Sequence, residues 1–485
     1  MQRLSGLDAV FLYAETPTQP LHVTLCAVLD PASMPGGYRF ATVRDHIASR
    51  LHLVPPLNRR LVPVPLGLSH PVWTPATDLD IDQHVHRAAV PAPGGEAELA
   101  ELVGTIASTP LDRSRPLWEM WIVEGLAGYR IALVDAKLHH AAIDGVAGVE
   151  QMVAFFDLEP VPATAAEAPA AEPSGPTEPR RAHRADAVGA GGLRHRHPRP
   201  LGRRAGGLLG RTVRSTIAVR RRRAALDPLA SDDIGGATPL VCPPTPVNGA
   251  IGARRTVAFA RLGLDDVKAI KAPFGATVND VVLAVAAGAL RSLLLDRDAL
   301  PAQPLVAACP ISVRAQADGS ATGNKLSTMF SHLRTDLADP VARFEATIRA
   351  AAASKDEHRL FDPDTLAGWA EQADPTLARL LIGTYSGRNL ADRHPPAINL
   401  MVSNLPGPPF PLYLAGAELC HAYPMGPIME GAGCNITMMS YRDSIDVGII
   451  AAANLLPDPD QLARRIPAAL AELAEAVAAC PPGAT

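Results

Sequence analysis

Apolar positions along the first 160 residues alternate between short runs and helical periodicity. Residues 22–29 and 60–64 are short and β-branched-rich and predict strands, and 96–106 predicts a helix. Two more strands are predicted at 119–125 and 130–138, joined by a turn at Ala127-Gly128. After Gly145, the residues Val146, Val149, Met152, Val153 and Phe156 recur at the spacing of one helix face. The segment His139-His140-Ala141-Ala142-Ile143-Asp144-Gly145 therefore falls where a strand ends and a helix begins. Such a junction presents side chains at the end of a sheet.

The pattern stops near residue 160 and resumes near 247. Ala, Pro and Gly dominate the first part of the gap, and 180–223 then holds fourteen arginines against the single acid Asp186. Leu208, Leu209, Val213 and Ile217 precede Arg220-Arg221-Arg222-Arg223 at near-helical spacing, which predicts a basic amphipathic helix at the linker's end. Beyond it a strand is predicted at 255–260. Val278, Val281, Val282, Val285, Leu290, Leu293 and Leu294 mark a long helix with a buried face. Strands are expected at 304–312, 325–333, 397–403 and 417–423, with helical segments between 333 and 389. A hairpin follows over 435–441 and 444–450, turning at Arg442-Asp443, and a helix over 459–479 closes the pattern. The expected division is a first domain at 1–160, a linker at 161–246 and a second domain at 247–485. With 485 residues, the chain exceeds what one core usually serves.

Composition narrows the function classes. A net charge of −4 gives no reason to expect a nucleic-acid partner. Six cysteines without a C-x-x-C pair form neither a disulfide framework nor a zinc pattern, and suit a reducing cytoplasm. The first fifteen residues carry Arg3, Asp8 and Glu15 and lack the apolar core of a signal peptide. No run of about eighteen apolar residues suggests a membrane span. The expectation is a cytoplasmic protein, attached at most to a membrane surface. No metal is expected, because adjacent strand histidines rarely share an ion and no third ligand set is evident.

The chemistry lies in the two histidines. Successive strand residues point to opposite faces, so only one of His139 and His140 can address a given cleft. A histidine is the usual general base near neutral pH, and removing a proton from an alcohol helps it attack a thioester. Asp144 can pin the local backbone, and Gly145 permits a sharp turn into the following helix. Taken alone, a His-His pair is more often an accident of the core or surface than a catalytic group.

The segment resembles the H-H-x-x-x-D-G signature of CoA-dependent acyltransferases, and the rest of the chain is similar to one bacterial branch of them, the wax ester synthase/diacylglycerol acyltransferase family. The resemblance is carried by Leu4-Ser5-Gly6-Leu7-Asp8-Ala9 with Pro20-Leu21-His22, and by Pro110-Leu111-Asp112-Arg113-Ser114-Arg115-Pro116-Leu117-Trp118-Glu119. It continues in Thr277-Val278-Asn279-Asp280-Val281-Val282, in Pro310-Ile311-Ser312-Val313-Arg314 with Gly323-Asn324, in Val402-Ser403-Asn404-Leu405-Pro406-Gly407-Pro408, and from Tyr423-Pro424 to Gly433-Cys434-Asn435-Ile436-Thr437. Blocks in one order on both sides of the linker make the likeness specific.

That resemblance implies two similar chloramphenicol-acetyltransferase-like α/β domains with a tunnel between them. It implies an O-acyltransferase using acyl-CoA as substrate, without a separate cofactor, and diacylglycerol or a long-chain fatty alcohol as acceptor. His140 would be the base, with His139, Asp144 and Gly145 in support, and Asp144 would turn away to an arginine, for which Arg314 is the candidate. Asn279 reads either as a helix cap or as a polar group of the tunnel, with Asp280 beside it. Ser312 reads as a strand-end tie or an oxyanion donor. Ser403, Asn404 and Gly407 suggest a turn at the crossover between domains, and Cys434 suggests a small buried residue. The arginine-rich linker departs from the family's usual connection. It reads as a tether to a peripheral membrane or lipid-droplet surface, as a solvated linker, or as a segment translated in an altered frame. A condensation-type acyltransferase with another donor or acceptor, and a lipid-surface binding protein with little catalysis, are the alternatives.

Overall fold

The computed structural model describes residues 2–65, 69–142, 153–161, 242–312, 326–360, 371 and 374–479. Asp144, Gly145, Arg314, the arginine-rich stretch and most of the helix expected after Gly145 lie outside these residues.

In the first half, strands β1 (Gln2–Arg3), β2 (His22–Asp30), β3 (Arg59–Val62), β4 (Val72–Pro75), β5 (Val85–Ala89), β6 (Trp118–Glu124) and β7 (Ile131–His139) alternate with helices α1 (Gly6–Ala14), α2 (Phe40–Arg50) and α3 (Glu96–Ser108). The second half supplies β8 (Arg255–Gly263), α4 (Leu264–Lys271), α5 (Val278–Asp296), β9 (Leu305–Ser312), β10 (Leu326–Leu333), α6 (Pro340–Leu360) and α7 (Pro375–Gly387). It ends with β11 (Leu400–Pro406), β12 (Tyr413–Leu414), β13 (Ala417–Met425), β14 (Cys434–Tyr441), β15 (Ser444–Ala452) and α8 (Pro459–Ala479). Among the described residues, the expected strands and helices are present to within a few residues. The short helices α1 and α2 and the strands β1 and β4 that pair into a small sheet with β3 were not expected from periodicity.

Two six-stranded sheets organise the molecule, with orders β12-β13-β2-β7-β6-β5 and β10-β9-β11-β14-β15-β8. The first draws strands from both sides of the expected linker. Strands β12 and β13, from the second half of the chain, complete the first sheet, where β13 pairs antiparallel with β2 from Glu418↔Asp30 to Met425↔Thr24. Residue composition cannot reveal this exchange, because β13 alternates like any half-buried strand and its partner lies some four hundred positions away.

Each sheet has its own core, and a third core joins them. Helices α5 and α8 pack on the second sheet, burying Val281, Val285, Leu470 and Ile449 together. Helix α5 is apolar and long enough to cross a membrane, but 72% of its apolar window is buried in that core, which accounts for its hydropathy. Helix α2 and the 155–156 segment cover one face of the first sheet, where Ile47, Phe155, Ile122 and Leu133 meet. Helix α3 packs against both β7 and β8, so that Val103 and Ile106 share a cluster with Val134 and Phe259.

Backbone approach at the joint requires glycine. A Cβ on Gly448 of β15 would lie 2.1 Å from the carbonyl oxygen of Pro424 on β13, closer than real atoms come. Gly448→Ala is therefore expected to push the two sheets apart and to cost about 1–3 kcal/mol. Urea unfolding would measure it, and an unchanged midpoint would show that the joint gives way freely.

Candidate active site

The two histidines leave β7 in opposite directions. His139 is fully buried, its backbone N–H bonding to Leu117 O at 3.1 Å. Its Nδ1 accepts from the Ala141 N–H at 3.0 Å, and its Nε2 lies 3.3 Å from Glu15 Oε2. Accepting at Nδ1 places the ring's proton on Nε2, directed at the carboxylate. Arg113 binds the same carboxylate oxygen, and its Nη2 also donates to Leu12 O at 2.9 Å. His139 is thus held by a Glu15–Arg113 pair and has no access to a substrate.

His140 faces the other way. Its backbone N–H bonds to Leu21 O at 2.9 Å, and its ring stacks on Phe11 of α1 with centroids 4.1 Å apart and planes 12° off parallel. The side chain lines a cavity of about 560 Å³ that runs between the two halves. Leu25, Leu138 and Phe156 contribute from the first half, Asn279, Cys309, Met329 and Lys355 from the second. Most of the wall is apolar, and beside His140 its polar side chains include Thr24, Asn279, Lys355, Ser403, Asn404, Asn435 and Thr437. This is the composition of a site for a hydrocarbon ligand with one polar reacting region.

Other expected residues separate into wall and scaffold. The cap of α5 is Thr277, not Asn279: Asp280 N–H donates to Thr277 Oγ1 at 3.3 Å, while Asp280 Oδ2 accepts from the Thr277 N–H at 2.8 Å. Asp280 therefore closes the helix end as a reciprocal cap, which leaves Asn279 directed to the cavity. Ser312 ends β9. Ser403 and Asn404 lie within β11, where the parallel ladder to β14 overrides their turn composition. Gly407 follows that strand because a Cβ would meet Ser440 O at 2.1 Å. Cys434 is buried, and burial pushes its thiol up to about 12. Cys309, on the cavity wall, is raised to about 12 by the same cause. Neither carries useful thiolate near neutral pH. His22, beside His139 across the β2–β7 ladder, is driven down to about 3 by burial, then by the charge of Lys137, and its Nε2 lies 3.0 Å from Ala107 O.

Glu15 is the residue that sequence reasoning missed. Its contact to His139 spans 124 positions, and a single acid after a helix carries no pattern. Among the described residues no three His, Cys, Asp or Glu side chains gather as a metal group would.

Two linked α/β halves enclosing a histidine-bearing cavity define a protein of the chloramphenicol-acetyltransferase-like class. The solved wax ester synthase/diacylglycerol acyltransferase of Marinobacter aquaeolei superposes with a TM-score of 0.67 at 26% identity, over 98% of each chain. A trichothecene 15-O-acetyltransferase of Fusarium sporotrichioides shares the fold at 11% identity and a TM-score of 0.56, over 98% of this chain and 94% of that one. The profile described as the wax ester synthase/diacylglycerol acyltransferase catalytic domain matches residues 4–282, and that of the family's C-terminal domain matches 322–474. A Mycobacterium tuberculosis protein named as a diacylglycerol O-acyltransferase is 38% identical over 475 residues, covering 98% of this chain and 90% of that protein. A second from the same organism is 37% identical over 466 residues, covering 95% and 93%. The chain belongs to the wax ester synthase/diacylglycerol acyltransferase family and is an acyltransferase.

Three variants test how the residues around the two histidines divide their work. Burial alone would raise the Glu15 carboxyl. The His139 hydrogen bond, followed by the Arg113 guanidinium, more than offsets this and holds it at about 2 against an ordinary 4.5. Its stabilisation is therefore complete above pH 4.5 and fades as pH falls toward 2. Glu15→Gln should cost about 2–3 kcal/mol at neutral pH, with the gap to wild type closing over that window in urea titrations. A pH-independent gap would deny the ionised contact. Separately, Asp280→Ala should lower stability by about 1–2 kcal/mol, whereas Asn279→Ala should lower kcat with little change in unfolding midpoint. The reverse assignment would show that Asn279 serves the helix.

Proposed function

We propose that the enzyme moves a long-chain acyl group from acyl-CoA to diacylglycerol or a long-chain fatty alcohol, giving triacylglycerol or wax ester. The observation that carries this is the placement of His140, alone of the two motif histidines, on the wall of an apolar cavity between the halves. His140 accepts the acceptor's hydroxyl proton as the oxygen attacks the thioester carbonyl. The tetrahedral intermediate collapses with loss of the CoA thiolate, which recovers the proton from the imidazolium and leaves as free CoA. Transfer from thioester to alcohol is downhill, so alignment and one base suffice. The thiol of Cys309, held near 12 by burial, disfavours an acyl-cysteine route and supports direct transfer.

Stacking on Phe11 fixes the plane of the His140 ring. Asn279 is the polar side chain we assign to the reacting carbonyl from the second half. Asp144 and Gly145 keep their supporting roles in this reading, Arg314 remains the proposed partner of Asp144, and Ser312 a strand-end tie. No separate cofactor enters this scheme. We also propose that the enzyme works in the cytoplasm against a membrane or lipid-droplet surface, which supplies water-insoluble acceptors, with the arginine-rich stretch 180–223 as its contact.

His140→Ala should reduce kcat by roughly 10²–10⁴-fold while the protein keeps its unfolding midpoint. Purified enzyme would be given hexadecanoyl-CoA with diacylglycerol or hexadecanol, and free CoA and lipid product measured. Full activity in the folded variant would remove His140 from the role of base. An acyl-enzyme trapped by rapid quench would exclude direct transfer, and exclusive use of carrier-bound donors would favour the condensation-type reading.

A further inference from the structure

The cavity has a direction that the position of the base alone does not explain. From His140, beside Leu21, it follows the first sheet, where Val23, Thr24, Leu25 and Ala27 of β2 line it, with an irregularity in the ladder to β7 between Val23 and Leu25. Opposite them on β13 stand Pro424, paired with Leu25, and Ala422, paired with Ala27. Both alanines are buried, at 0% and 1% exposure, and both line the cavity. The next pair on this face is Leu29 with Leu419. Two methyl groups therefore stand side by side in a row of otherwise larger side chains.

Beyond that gap the cavity meets a wall of Leu412, Leu419 and Tyr441. The wall is fixed: the Tyr441 hydroxyl donates to Leu419 O at 3.1 Å and accepts from the Leu412 N–H at 3.1 Å. At 3.3–3.4 Å per strand residue, Ala27 lies roughly 17–20 Å along β2 from the level of His140. A short alkyl chain anchored at the base stops before the alanines, whereas a long one crosses them.

We infer that the cross-strand pair Ala27–Ala422 sets the length of hydrocarbon chain that the enzyme accepts, by leaving a gap through which a long unbranched chain reaches the wall at Tyr441. This deepens the acyl-transfer reading and rests on it. The chain belongs to the acyl thioester or to the acceptor alcohol, which share the same chemistry. The arm suits one of them at a time.

The test uses the full-length enzyme with Ala27→Leu, and Ala422→Val as a milder change at the opposite position. One series varies the donor among octanoyl-, dodecanoyl- and hexadecanoyl-CoA with a single acceptor. The other varies the alcohol from octanol to hexadecanol with a single donor. Each variant should lower the ratio of kcat/KM for the sixteen-carbon over the eight-carbon substrate by about tenfold, in one series and not the other. The series that responds identifies the chain in the arm. The rise in melting temperature given by hexadecanoyl-CoA or hexadecanol over its eight-carbon counterpart should shrink in parallel, a readout that needs no turnover. An unchanged ratio and an unchanged thermal increment in both series, in variants that melt near the wild-type temperature, overturn the inference. Absence of turnover in the parent enzyme, with the length-dependent thermal increments intact and reduced by the variants, would instead overturn the acyl-transfer reading and leave the arm standing.

Discussion

The antiparallel ladder between β2 and β13 is the constraint on which the rest of the molecule depends. Its hydrogen bonds join a strand from the start of the chain to one near its end, and by doing so make the first sheet a product of both halves. The opposite face of the same strands, through Cys26, Val28 and Tyr423, packs into the core around α3 and β8. Asp446 of β15, fully buried, accepts the Ala422 N–H at 2.7 Å and so ties the second sheet to the shared strand. The shared strand β13 thus carries contacts to both sheets.

The same arrangement explains how one chemical group is singled out from a pair of identical ones. Pleating alone sends His139 and His140 to opposite faces, but what each meets there is set at long range. His139 meets a carboxylate already committed to an arginine, and becomes part of the frame. His140 meets the ring of Phe11, on a helix that the second half supports: α1 packs against α7, and the Thr18 hydroxyl beyond it lies 3.1 Å from the Ser386 hydroxyl. The orientation of the His140 ring therefore reports on the docking of both halves.

Much of this was legible in the amino-acid sequence, and the losses have a common cause. Periodicity located α3, α5, α8 and the β14–β15 hairpin, because each is decided by local alternation of apolar and polar residues. The His139–Gly145 segment was readable as a junction for the same reason. What was not readable depends on contacts between distant positions: the membership of β13 in the first sheet, the grip of Glu15 on His139, and the strand conformation of Ser403 and Asn404. In the last case composition pointed to a turn, and the ladder to β14 decided otherwise. The Thr277–Asp280 cap was within reach of sequence, since Thr-x-x-Asp before an apolar run is a helix-start pattern. The presence of Asn279 in the same block drew attention from it.

Strand exchange also sets an order of events during synthesis. Until residues 417–425 leave the ribosome, β2 is an edge strand with one row of backbone groups unpaired. Between His22 and Ala417 lie 417 − 22 = 395 positions, which at ordinary elongation rates take roughly 20–80 s to translate. For that interval the nascent first half holds an open, β-branched edge and a half-lined apolar cleft. The architecture that completes the first sheet with a late strand thus makes biosynthesis a long exposure, and places the demand for chaperone protection on the first half of the chain.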